Sequence, residues 1–483
     1  MTSLADRHSG PGEPGASSGG SADGTPTDAA GPAAATVARL RSSFGTGRTR
    51  PLDWRIRQLQ GIARLLSERE AEIAAALGAD LGRSPHDAWF GDIASTKGEV
   101  EYAIRHVEKW MRPKRVGVPL AVMPGRASYR YEPLGVVLVI GPWNYPFYLC
   151  LAPLVGALAA GNCVVLKPSE HAPESSRTMA ELIPRYLDAD AVAVVEGDAE
   201  VTRQLIDARV DHVFFTGGTE IGRKIMEAAA PHLTPVTLEL GGKSPAIVTA
   251  NADVEVAARR IVWGKIVNSG QTCIATDYVL VENAVKDRLV AEVKKSLAAM
   301  RRDDPGPQPI VNQRQFDRLS GLLEENPGQV VTGGGCAAAS RAVEPTVVVD
   351  PDPGSSLMQG EIFGPILPVV GVGSLSEAIE FVNAREKPLA AYIFSESKEE
   401  VDRVFSEISS GGAVANHTLM HVLAPQLPFG GVGASGMGAY HGKWGFECFS
   451  HRKATLEMRT KPDLKLIYPP YSGLAKKLMR KLA

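Results

Sequence analysis

The stretch that decides how this chain folds is Val136-Val137-Leu138-Val139-Ile140-Gly141-Pro142-Trp143-Asn144-Tyr145-Pro146. Its five aliphatic residues predict a strand, and the apolar run from Pro146 to Ala160 predicts a helix that ends at Gly161. A second aliphatic strand, Cys163 to Leu166, follows directly. Strands that are apolar throughout are covered on both faces, and helical crossovers supply that cover between parallel strands. The stretch therefore predicts a parallel sheet of the α/β class.

The same alternation of strand and helix continues along the chain. The further strands of this half are predicted at 191–195, 210–215 and 234–240. From Gly241 the pattern starts again, with strands predicted at 246–248, 278–281, 346–349 and 366–370. The first half is therefore Rossmann-like, and the second half is a second α/β domain.

The composition is that of a soluble globular protein too long for a single core. Its 483 residues are 44% hydrophobic and 22% charged, and a formal net charge of −2 predicts no nucleic-acid partner. Five cysteines without a Cys-x-x-Cys pair fit free thiols in a reducing compartment. No apolar run reaches the roughly 20 residues of a membrane span. We therefore expect a cytoplasmic protein, with residues 1–35 as a disordered extension because they contain almost no large apolar side chain.

A second stretch contains the most informative single residue. Asn268-Ser269-Gly270-Gln271-Thr272-Cys273-Ile274-Ala275-Thr276-Asp277 places Cys273 among small and polar residues, just before an apolar run. Structural cysteines usually lie inside apolar runs, whereas a nucleophilic thiolate needs polar neighbours and an approach path for substrate. A lone cysteine is nevertheless more often structural. Cys273 is a candidate nucleophile only if the chain supplies partners.

Two polar residues are candidates for such partners. Glu239, in Leu238-Glu239-Leu240-Gly241-Gly242-Lys243, places a carboxylate at the end of an apolar strand. It is either satisfied structurally or kept as a base with a raised pKa. Asn144 lies between a strand and a helix, so its amide either caps that helix or donates to a developing oxyanion. Capping is the more common role.

Two further segments have features of a phosphate or ribose site. Phe215-Thr216-Gly217-Gly218-Thr219-Glu220-Ile221-Gly222 joins a strand to a helix, where glycine N–H groups and a helix N-terminus can face an anion. Its spacing is not Gly-x-Gly-x-x-Gly, and a plain tight turn explains it equally well. Lys167 and Glu170 follow the second strand, at the sheet edge where ligands bind; a solvated ion pair at a turn is the alternative.

Seven segments, in a fixed order, carry a family resemblance. They are Gly141-Pro142-Trp143-Asn144, Lys167-Pro168-Ser169-Glu170, Phe215-Thr216-Gly217-Gly218-Thr219, Leu238-Glu239-Leu240-Gly241-Gly242-Lys243, Gly270-Gln271-Thr272-Cys273, Glu361-Ile362-Phe363-Gly364-Pro365 and Leu427-Pro428-Phe429-Gly430-Gly431. Together they resemble the aldehyde dehydrogenase superfamily over residues 36–471. Ala439-Tyr440-His441-Gly442-Lys443 and Tyr468-Pro469-Pro470-Tyr471 are similar to its class 3 branch of fatty and aromatic aldehyde dehydrogenases.

The resemblance implies a reaction and a role for each candidate residue. The expected reaction is NAD(P)-dependent oxidation of a medium-chain, long-chain or aromatic aldehyde to a carboxylic acid. Cys273 looks like the nucleophile that forms a thiohemiacetal and then a thioester. Asn144 and the backbone N–H of Cys273 would hold the oxyanion, and Glu239 is similar to the base that activates the hydrolytic water.

The resemblance also implies a cofactor, namely NAD, with NADP as an alternative. Glu170 favours NAD because it can hydrogen-bond ribose hydroxyls but should repel a 2′-phosphate. The residues expected to contact the cofactor are Lys167, Glu170, Gly217, Gly218, Thr219, Gly222, Glu361 and Phe363. Those expected to line the substrate channel are Tyr145 and Phe429.

A domain division follows from the same resemblance. The NAD(P)-binding domain is expected at 36–126 and 133–240, the catalytic domain at 241–426, and a small β arm that forms a homodimer at 127–132 and 427–471. Residues 472–483 are a basic amphipathic tail, for which a solvated terminal helix is favoured over contact with a membrane surface.

Gly218 stands where many relatives carry serine. A coenzyme-A-acylating relative and a catalytically silent scaffold are the competing functions; Glu239 argues against the first, and intact Cys273, Glu239 and Asn144 argue against the second. His417 and His421 have no third ligand nearby in sequence, so no metal is predicted.

Overall fold

The structure, a computed structural model, describes residues 31–301, 308–325, 328–461, 463 and 468–482. The first helix begins at Pro32 and buries Val37 and Leu40. The prediction of disorder through residue 35 is therefore wrong for residues 32–35, because a proline in the first turn and these apolar anchors start the helix there. The rest of the predicted extension, residues 1–30, lies outside the described residues.

The strands of the described residues are β1 (Lys114–Val116), β2 (Arg126–Pro133), β3 (Val136–Ile140), β4 (Cys163–Lys167), β5 (Val192–Val194), β6 (His212–Thr216), β7 (Val236–Glu239), β8 (Pro245–Val248), β9 (Tyr278–Glu282), β10 (Gln329–Thr332), β11 (Cys336–Ala337), β12 (Ala342–Val343), β13 (Thr346–Val349), β14 (Ile366–Val372), β15 (Ala390–Phe394), β16 (Gly412–Ala415), β17 (Gly436–Met437) and β18 (Ser450–Glu457). The helices are α1 (Pro32–Gly45), α2 (Leu52–Glu68), α3 (Glu70–Leu81), α4 (Pro85–Ala88), α5 (Ser95–Met111), α6 (Tyr148–Ala160), α7 (Pro173–Tyr186), α8 (Ala199–Asp207), α9 (Thr219–Ala229), α10 (Val254–Ile266), α11 (Lys286–Met300), α12 (Gln313–Glu324), α13 (Ser356–Gln359), α14 (Leu375–Asn383), α15 (Lys398–Glu407), α16 (Gly442–Cys448) and α17 (Gly473–Leu482). A π-helical turn, Trp89–Ala94, joins α4 to α5.

The first sheet has the strand order β17-β7-β6-β3-β4-β5, in which β3 to β7 are parallel. Every residue of β3 is buried, and α6 behind it is buried along its whole length. The sheet grows from β3 through β4 and β5 on one side and through β6 and β7 on the other. Ligands of open α/β sheets bind outside the carboxyl ends of the strands at such a reversal. The segments after Ile140 and Thr216 are therefore the expected edge of a binding site.

The second sheet has the order β10-β13-β14-β9-β8-β15-β16. All its neighbouring pairs are parallel except the edge strand β10, which is antiparallel to β13. Only residues 240–244 separate β7 of the first sheet from β8 of the second. Two parallel sheets with helical connections confirm the predicted α/β class.

A third sheet is antiparallel, with the order β1-β2-β18. Its long pairing of β2 with β18 brings together the two segments assigned to the β arm. The same C-terminal region also sends β17 back to the first sheet, where Gly436 lies opposite Glu239 of β7. Within the described part of the chain, no helix combines the length and the apolar character needed to cross a membrane.

Candidate active site

Cys273 follows a turn whose backbone is left-handed at three consecutive residues. Asn268, Ser269 and Gly270 have φ values of 54°, 52° and 70°. Gly270 lies against the carbonyl of Gly364, where a Cβ would clash. Left-handed non-glycine residues store strain that the surrounding packing must hold. The chain therefore leaves α10 abruptly and presents Cys273 at the end of a strained, closely packed turn.

Cys273 is partly buried, and its thiol holds its proton more tightly than a free cysteine does. Burial raises its pKa to about 12, and the nearby carboxyl groups of Glu361 and Glu239 add to the rise. Backbone N–H groups at Cys273 and Ile274 act in the opposite direction, so they are placed to stabilise negative charge at this point. A thiolate nucleophile must therefore form as the substrate reacts.

Glu239 ends β7 and is 2% exposed. Neither of its carboxylate oxygens has a hydrogen-bond partner among the described residues. Burial raises its pKa well above the ordinary value, because the charged form would lose its hydration. Its backbone is held between Thr216 of β6 and Gly436 of β17. A carboxyl group with high proton affinity is suited to act as a general base toward water.

Asn144 lies between β3 and α6 but does not cap the helix. Its side-chain nitrogen donates to the carbonyl of Gln271 at 3.0 Å, two residues before Cys273. The cap of α6 is a different group, because the N–H of Tyr148 donates to Oδ1 of Asp92 at 2.8 Å. The more common interpretation, capping, is therefore wrong for Asn144. Its amide has a second N–H that can donate to a ligand.

Two cavities meet at Cys273. One encloses about 1260 Å³ of empty space including its open mouth and has mainly apolar walls. The other encloses about 760 Å³ and is lined by glycine, polar and aromatic residues. The residues that line both are Leu149, Thr216, Glu239, Leu240 and Cys273. The candidate nucleophile and the candidate base therefore form the wall between an apolar and a polar compartment.

The apolar cavity contains both residues predicted to line the substrate channel, Tyr145 and Phe429. The Tyr145 hydroxyl lies 2.9 Å from Oγ1 of Thr272. The Phe429 ring stacks on the rings of His421 and His441. Other apolar and aromatic side chains in the walls of this cavity include those of Phe90, Tyr148, Trp263, Leu419, Met420, Val422, Leu423 and Tyr440. Walls of this kind bind alkyl or aryl groups.

The polar cavity contains four of the predicted cofactor contacts, Gly217, Gly218, Glu361 and Phe363. Gly218 precedes α9 without a side-chain cap, so the first N–H groups of this 11-residue helix can face a phosphate. Phe363, at φ 48°, packs edge-on against Trp143 with 5.4 Å between ring centroids. A helix N-terminus, a carboxyl group and an aromatic ring in one cavity fit the pyrophosphate, a ribose hydroxyl and the nicotinamide of a dinucleotide.

The other four predicted cofactor contacts do not line this cavity. Lys167 is buried at the end of β4, and its ammonium group donates to Oε2 of Glu170 at 2.9 Å. Thr219 donates to the carbonyl of Ala434 at 3.3 Å, and Gly222 packs closely against Leu240. The ion pair of the alternative interpretation is present, with Lys167 buried and the Glu170 side chain 41% exposed. Contact of these residues with a cofactor stays a prediction.

Sequence reasoning missed several residues of the site. Arg318 of α12 lines the polar cavity and donates to the carbonyl of Ile362 at 2.6 Å. A signal for this helix was present, since Asn312 caps it and Phe316 and Leu319 are three residues apart on its buried face. Arg83, which lines the apolar cavity, had no such signal, because an arginine just after a helix normally faces solvent.

The two histidines that could suggest a metal pair have aromatic neighbours instead. His417 packs edge-on against Trp263 at 5.7 Å between ring centroids, and His421 stacks on Phe429 at 5.6 Å. Across the ranges that the structure describes, no three His, Cys, Asp or Glu side chains are grouped as metal ligands.

Gly241 offers a test of the polar cavity that leaves every reacting group in place. A Cβ at this position would clash with both carboxylate oxygens of Glu361. We therefore expect Gly241→Ala to displace Glu361 and to raise the KM for NAD about tenfold, the equivalent of about 1.4 kcal/mol. The measurement is steady-state kinetics at varied NAD. Gly98→Ala is the matched control, since its Cβ would meet nothing within 4 Å; an unchanged KM for Gly241→Ala would show that Glu361 does not hold the cofactor.

Comparisons with known proteins agree with this geometry. The chain matches the model of the aldehyde dehydrogenase family over residues 22–455, a match that begins earlier than the resemblance from residue 36. Human aldehyde dehydrogenase family 3 member B1 is 48% identical over 445 residues, which cover 90% of this chain and 94% of that protein. The rat protein named aldehyde dehydrogenase, dimeric NADP-preferring, is 45% identical over 441 residues, covering 90% and 97%. The solved substrate-bound state of Staphylococcus aureus AldH has a TM-score of 0.89 at 40% identity, covering 93% of this chain and 99% of that one.

Family and site lead to one activity. The protein oxidises aldehydes to carboxylic acids with NAD or NADP as the cofactor. The similarity extends over nine-tenths of the chain, and the family match over residues 22–455 spans the positions of Asn144, Glu239 and Cys273. The chain belongs to the aldehyde dehydrogenase family, within its class 3 branch.

Proposed function

We propose that the protein oxidises medium-chain, long-chain or aromatic aldehydes through a thioester formed on Cys273. The observation that carries the proposal is the shared wall, since Cys273 and Glu239 border both the apolar and the polar cavity. An aldehyde with its alkyl or aryl group in the apolar cavity then places its carbonyl carbon at the Cys273 sulfur. Gly217, Gly218, Glu361 and Phe363 in the walls of the polar cavity would hold the dinucleotide.

In the first half-reaction, the Cys273 sulfur releases its proton to solvent water and attacks the carbonyl carbon. The carbonyl π electrons move to oxygen, and the resulting oxyanion accepts hydrogen bonds from the Asn144 amide and the backbone N–H of Cys273. A donor of this kind contributes about 3–4 kcal/mol to the transition state. Collapse of the oxyanion expels the hydrogen with its electron pair and leaves a thioester. The bound nicotinamide supplies the acceptor for that hydride.

In the second half-reaction, Glu239 takes a proton from a water molecule. The oxygen of that water adds to the thioester carbon, the C–S bond breaks, and the Cys273 sulfur leaves as a thiolate. The products are the carboxylic acid and the Cys273 thiolate, which regains a proton from Glu239. The unpaired, buried carboxyl group of Glu239 supports this role, because nothing else competes for its lone pairs among the described residues.

A substrate series tests the proposed class. Each methylene buried in the apolar cavity contributes about 0.8 kcal/mol, so kcat/KM should rise from acetaldehyde through hexanal to decanal. Benzaldehyde should also exceed acetaldehyde. The measurement is NADH absorbance at fixed NAD. A maximum at acetaldehyde would overturn the proposed substrate class while leaving the chemistry at Cys273 intact.

The preference for NAD over NADP depends on Glu170. Burial opposes its charged form, but its own backbone N–H and the Lys167 ammonium outweigh this, and its pKa lies below the ordinary value. Ionised Glu170 should repel a 2′-phosphate, so wild type should have the higher kcat/KM with NAD. We expect Glu170→Gln to raise kcat/KM for NADP about tenfold, since removing one repulsion of about 1.4 kcal/mol suffices. Glu174→Gln, at a half-buried carboxylate paired with Arg177, is the control. A wild-type preference for NADP would contradict the assignment.

We also propose that the protein is a cytoplasmic homodimer. Support comes from the dimeric description of the rat relative and from the exposed edge strand β18, where Leu456 is 54% exposed, as is Met458 just beyond the strand. Light scattering after gel filtration should give the mass of two chains, and Leu456→Asp should lower it. A wild-type protein with the mass of one chain would contradict the proposed dimer. Recovery of the protein in the membrane fraction of lysed cells would contradict the proposed cytoplasmic location.

The terminal helix α17 is interpreted as a solvated helix. Its Ala475 is buried, whereas Leu474 is exposed, and the helix packs on the turn at Leu120–Val122. Co-sedimentation with anionic vesicles should therefore be the same for the full chain and for a chain ending at residue 472. Stronger partitioning of the full chain would favour a membrane contact instead.

A further inference from the structure

A buried ion pair lies behind the loop that bears Asn144. Arg83, just after α3, pairs with Asp92 in the π-helical turn, and their side chains are 2% and 0% exposed. Burial raises the pKa of Asp92, and the Arg83 charge opposes that rise. A buried ion pair by itself is weak evidence for stability, because desolvation offsets the attraction. Its contacts indicate a different role.

The guanidinium of Arg83 connects both segments that form the candidate oxyanion site. One of its nitrogens donates to the backbone carbonyl of Asn144 at 2.5 Å, and Nε donates to Oδ1 of Asn268 at 3.2 Å. Asn268 in turn donates to the carbonyls of Asn144 and Gln271, both at 3.1 Å. The carbonyl of Asn144 therefore accepts from Arg83 and from the strained turn that leads to Cys273.

Asp92 holds the other end of the same loop. Its Oδ1 accepts the N–H of Tyr148 at 2.8 Å, at the first residue of α6. The hydroxyl of Thr96 donates to its backbone carbonyl at 2.6 Å, which ties the π-helical turn to α5. The guanidinium also lies over the Tyr145 ring, 4.3 Å from its centre. One ion pair thus restrains residues 144–148 at both ends.

We propose that Arg83 and Asp92 are positioning residues for the acylation step, holding the Asn144 amide where the oxyanion develops. The proposal rests on the function proposed for Cys273 and Asn144. Oxyanion donors are effective only when preorganised, and a displacement of about 1 Å in a site can lower a rate about 100-fold. Arg83 and Asp92 do not react; they act through the position of Asn144.

The decisive variant is the double substitution Arg83→Met with Asp92→Asn. It leaves no unpaired buried charge, and asparagine retains the acceptor for the Tyr148 N–H, so folding is expected to persist. The bonds from Arg83 to Asn144 and Asn268 are lost. We expect the rate constant of the pre-steady-state NADH burst to fall about 10–100-fold, with an unchanged KM for NAD and a similar thermal midpoint. The single variant Arg83→Lys keeps the ion pair and one hydrogen-bond donor. Its burst rate should therefore lie between those of the double variant and the wild type.

Arg55→Met is the matched control for losing a buried arginine. Arg55 is 5% exposed and donates to the carbonyl of Ala159 at 2.9 Å, at the far end of α6. We expect this variant to lower the thermal midpoint but not the burst rate. If it slows the burst as much as the double variant does, the effect is general destabilisation and the proposal is wrong.

Asn268→Gly provides a second route to the answer. Glycine accepts the φ of 54° at this position, but it lacks the side chain that bonds to Asn144 and Gln271. The rate constant of the NADH burst should therefore fall in this variant as well. If Asn268→Gly shows the wild-type burst rate, the proposal is wrong, whether or not the double variant also shows it. If the double variant does not fold, the burst rate of Asn268→Gly decides the question. A burst that survives in Cys273→Ala would instead refute the proposed function of Cys273, which separates the two failures.

Discussion

Replacing Cys273 with alanine is expected to abolish aldehyde oxidation, with kcat at least about 10⁴-fold below wild type. Without the sulfur there is no thiohemiacetal, so no carbon is poised to release a hydride into the polar cavity. Affinity for NAD should remain, because the polar cavity also has Gly217, Gly218 and Glu361 in its walls. The measurements are steady-state NADH absorbance, the pre-steady-state burst and NAD binding by fluorescence quenching.

Cys448 is the matched control for the loss of a thiol. Burial raises its pKa to about 12, as for Cys273, but it contacts Oγ1 of Thr237 at 3.2 Å and lines neither cavity. Cys448→Ala should therefore retain turnover. Turnover of Cys273→Ala above the background rate would reveal another nucleophile and remove the covalent mechanism proposed above.

Glu239→Gln is expected to keep the NADH burst and lose steady-state turnover. The amide cannot take a proton from water, so the thioester accumulates after a single hydride transfer. General bases of this kind contribute about 10²–10⁴-fold to a rate. Stopped-flow absorbance should show a burst of one NADH per site followed by a nearly flat line, and the acylated chain should be visible by mass spectrometry.

The raised pKa of Glu239 sets the direction of two pH effects. Its base form appears only as pH rises through a pKa well above the ordinary 4.5, so thioester hydrolysis in wild type should accelerate with pH over that range. The folded state also binds this proton more tightly than the unfolded state does. The free energy of unfolding therefore falls as pH rises from 4.5 through the raised pKa. Glu239→Gln lacks this titrating group, so the difference between its thermal midpoint and that of the wild type should grow in its favour as pH rises.

Glu99 supplies the control for a buried carboxyl group. It is 4% exposed, and burial raises its pKa to about 7, but it lines neither cavity. Glu99→Gln should keep the steady-state rate. Unchanged turnover in Glu239→Gln would show that another group is the base, and rescue of that variant by coenzyme A with acyl-coenzyme A as product would favour the acylating alternative.

The two sheets could be predicted largely because their central strands are buried on both faces. Val136–Ile140 and Thr346–Val349 form strands with the predicted bounds, since continuous aliphatic runs bounded by glycine or proline have few other structures available. β16, Gly412–Ala415, could not be predicted in this way. Its short run of small residues has little intrinsic preference, and pairing with β15 decides its structure.

The residues of the site also differ in whether the sequence could predict them. Cys273, Glu239 and Asn144 could be selected because polar residues at strand ends and in small-residue turns are unusual in an otherwise apolar pattern. Their partners could not, because Asn144 meets Gln271 across 127 residues and Arg83 meets Asn268 across 185 residues. Local periodicity contains no information about such distant pairs.

The amino-acid sequence by itself determined the α/β class, the family resemblance and the three candidate reacting groups, because these depend on residue type and local spacing. Only the tertiary structure decided that Cys273 and Glu239 form the wall between two cavities and that burial raises the pKa of both groups. It also decided that Asp92, and not Asn144, caps α6, and that Arg83 holds the Asn144 loop. These properties arise from desolvation and from contacts between distant segments, which exist only once the two sheets have packed together.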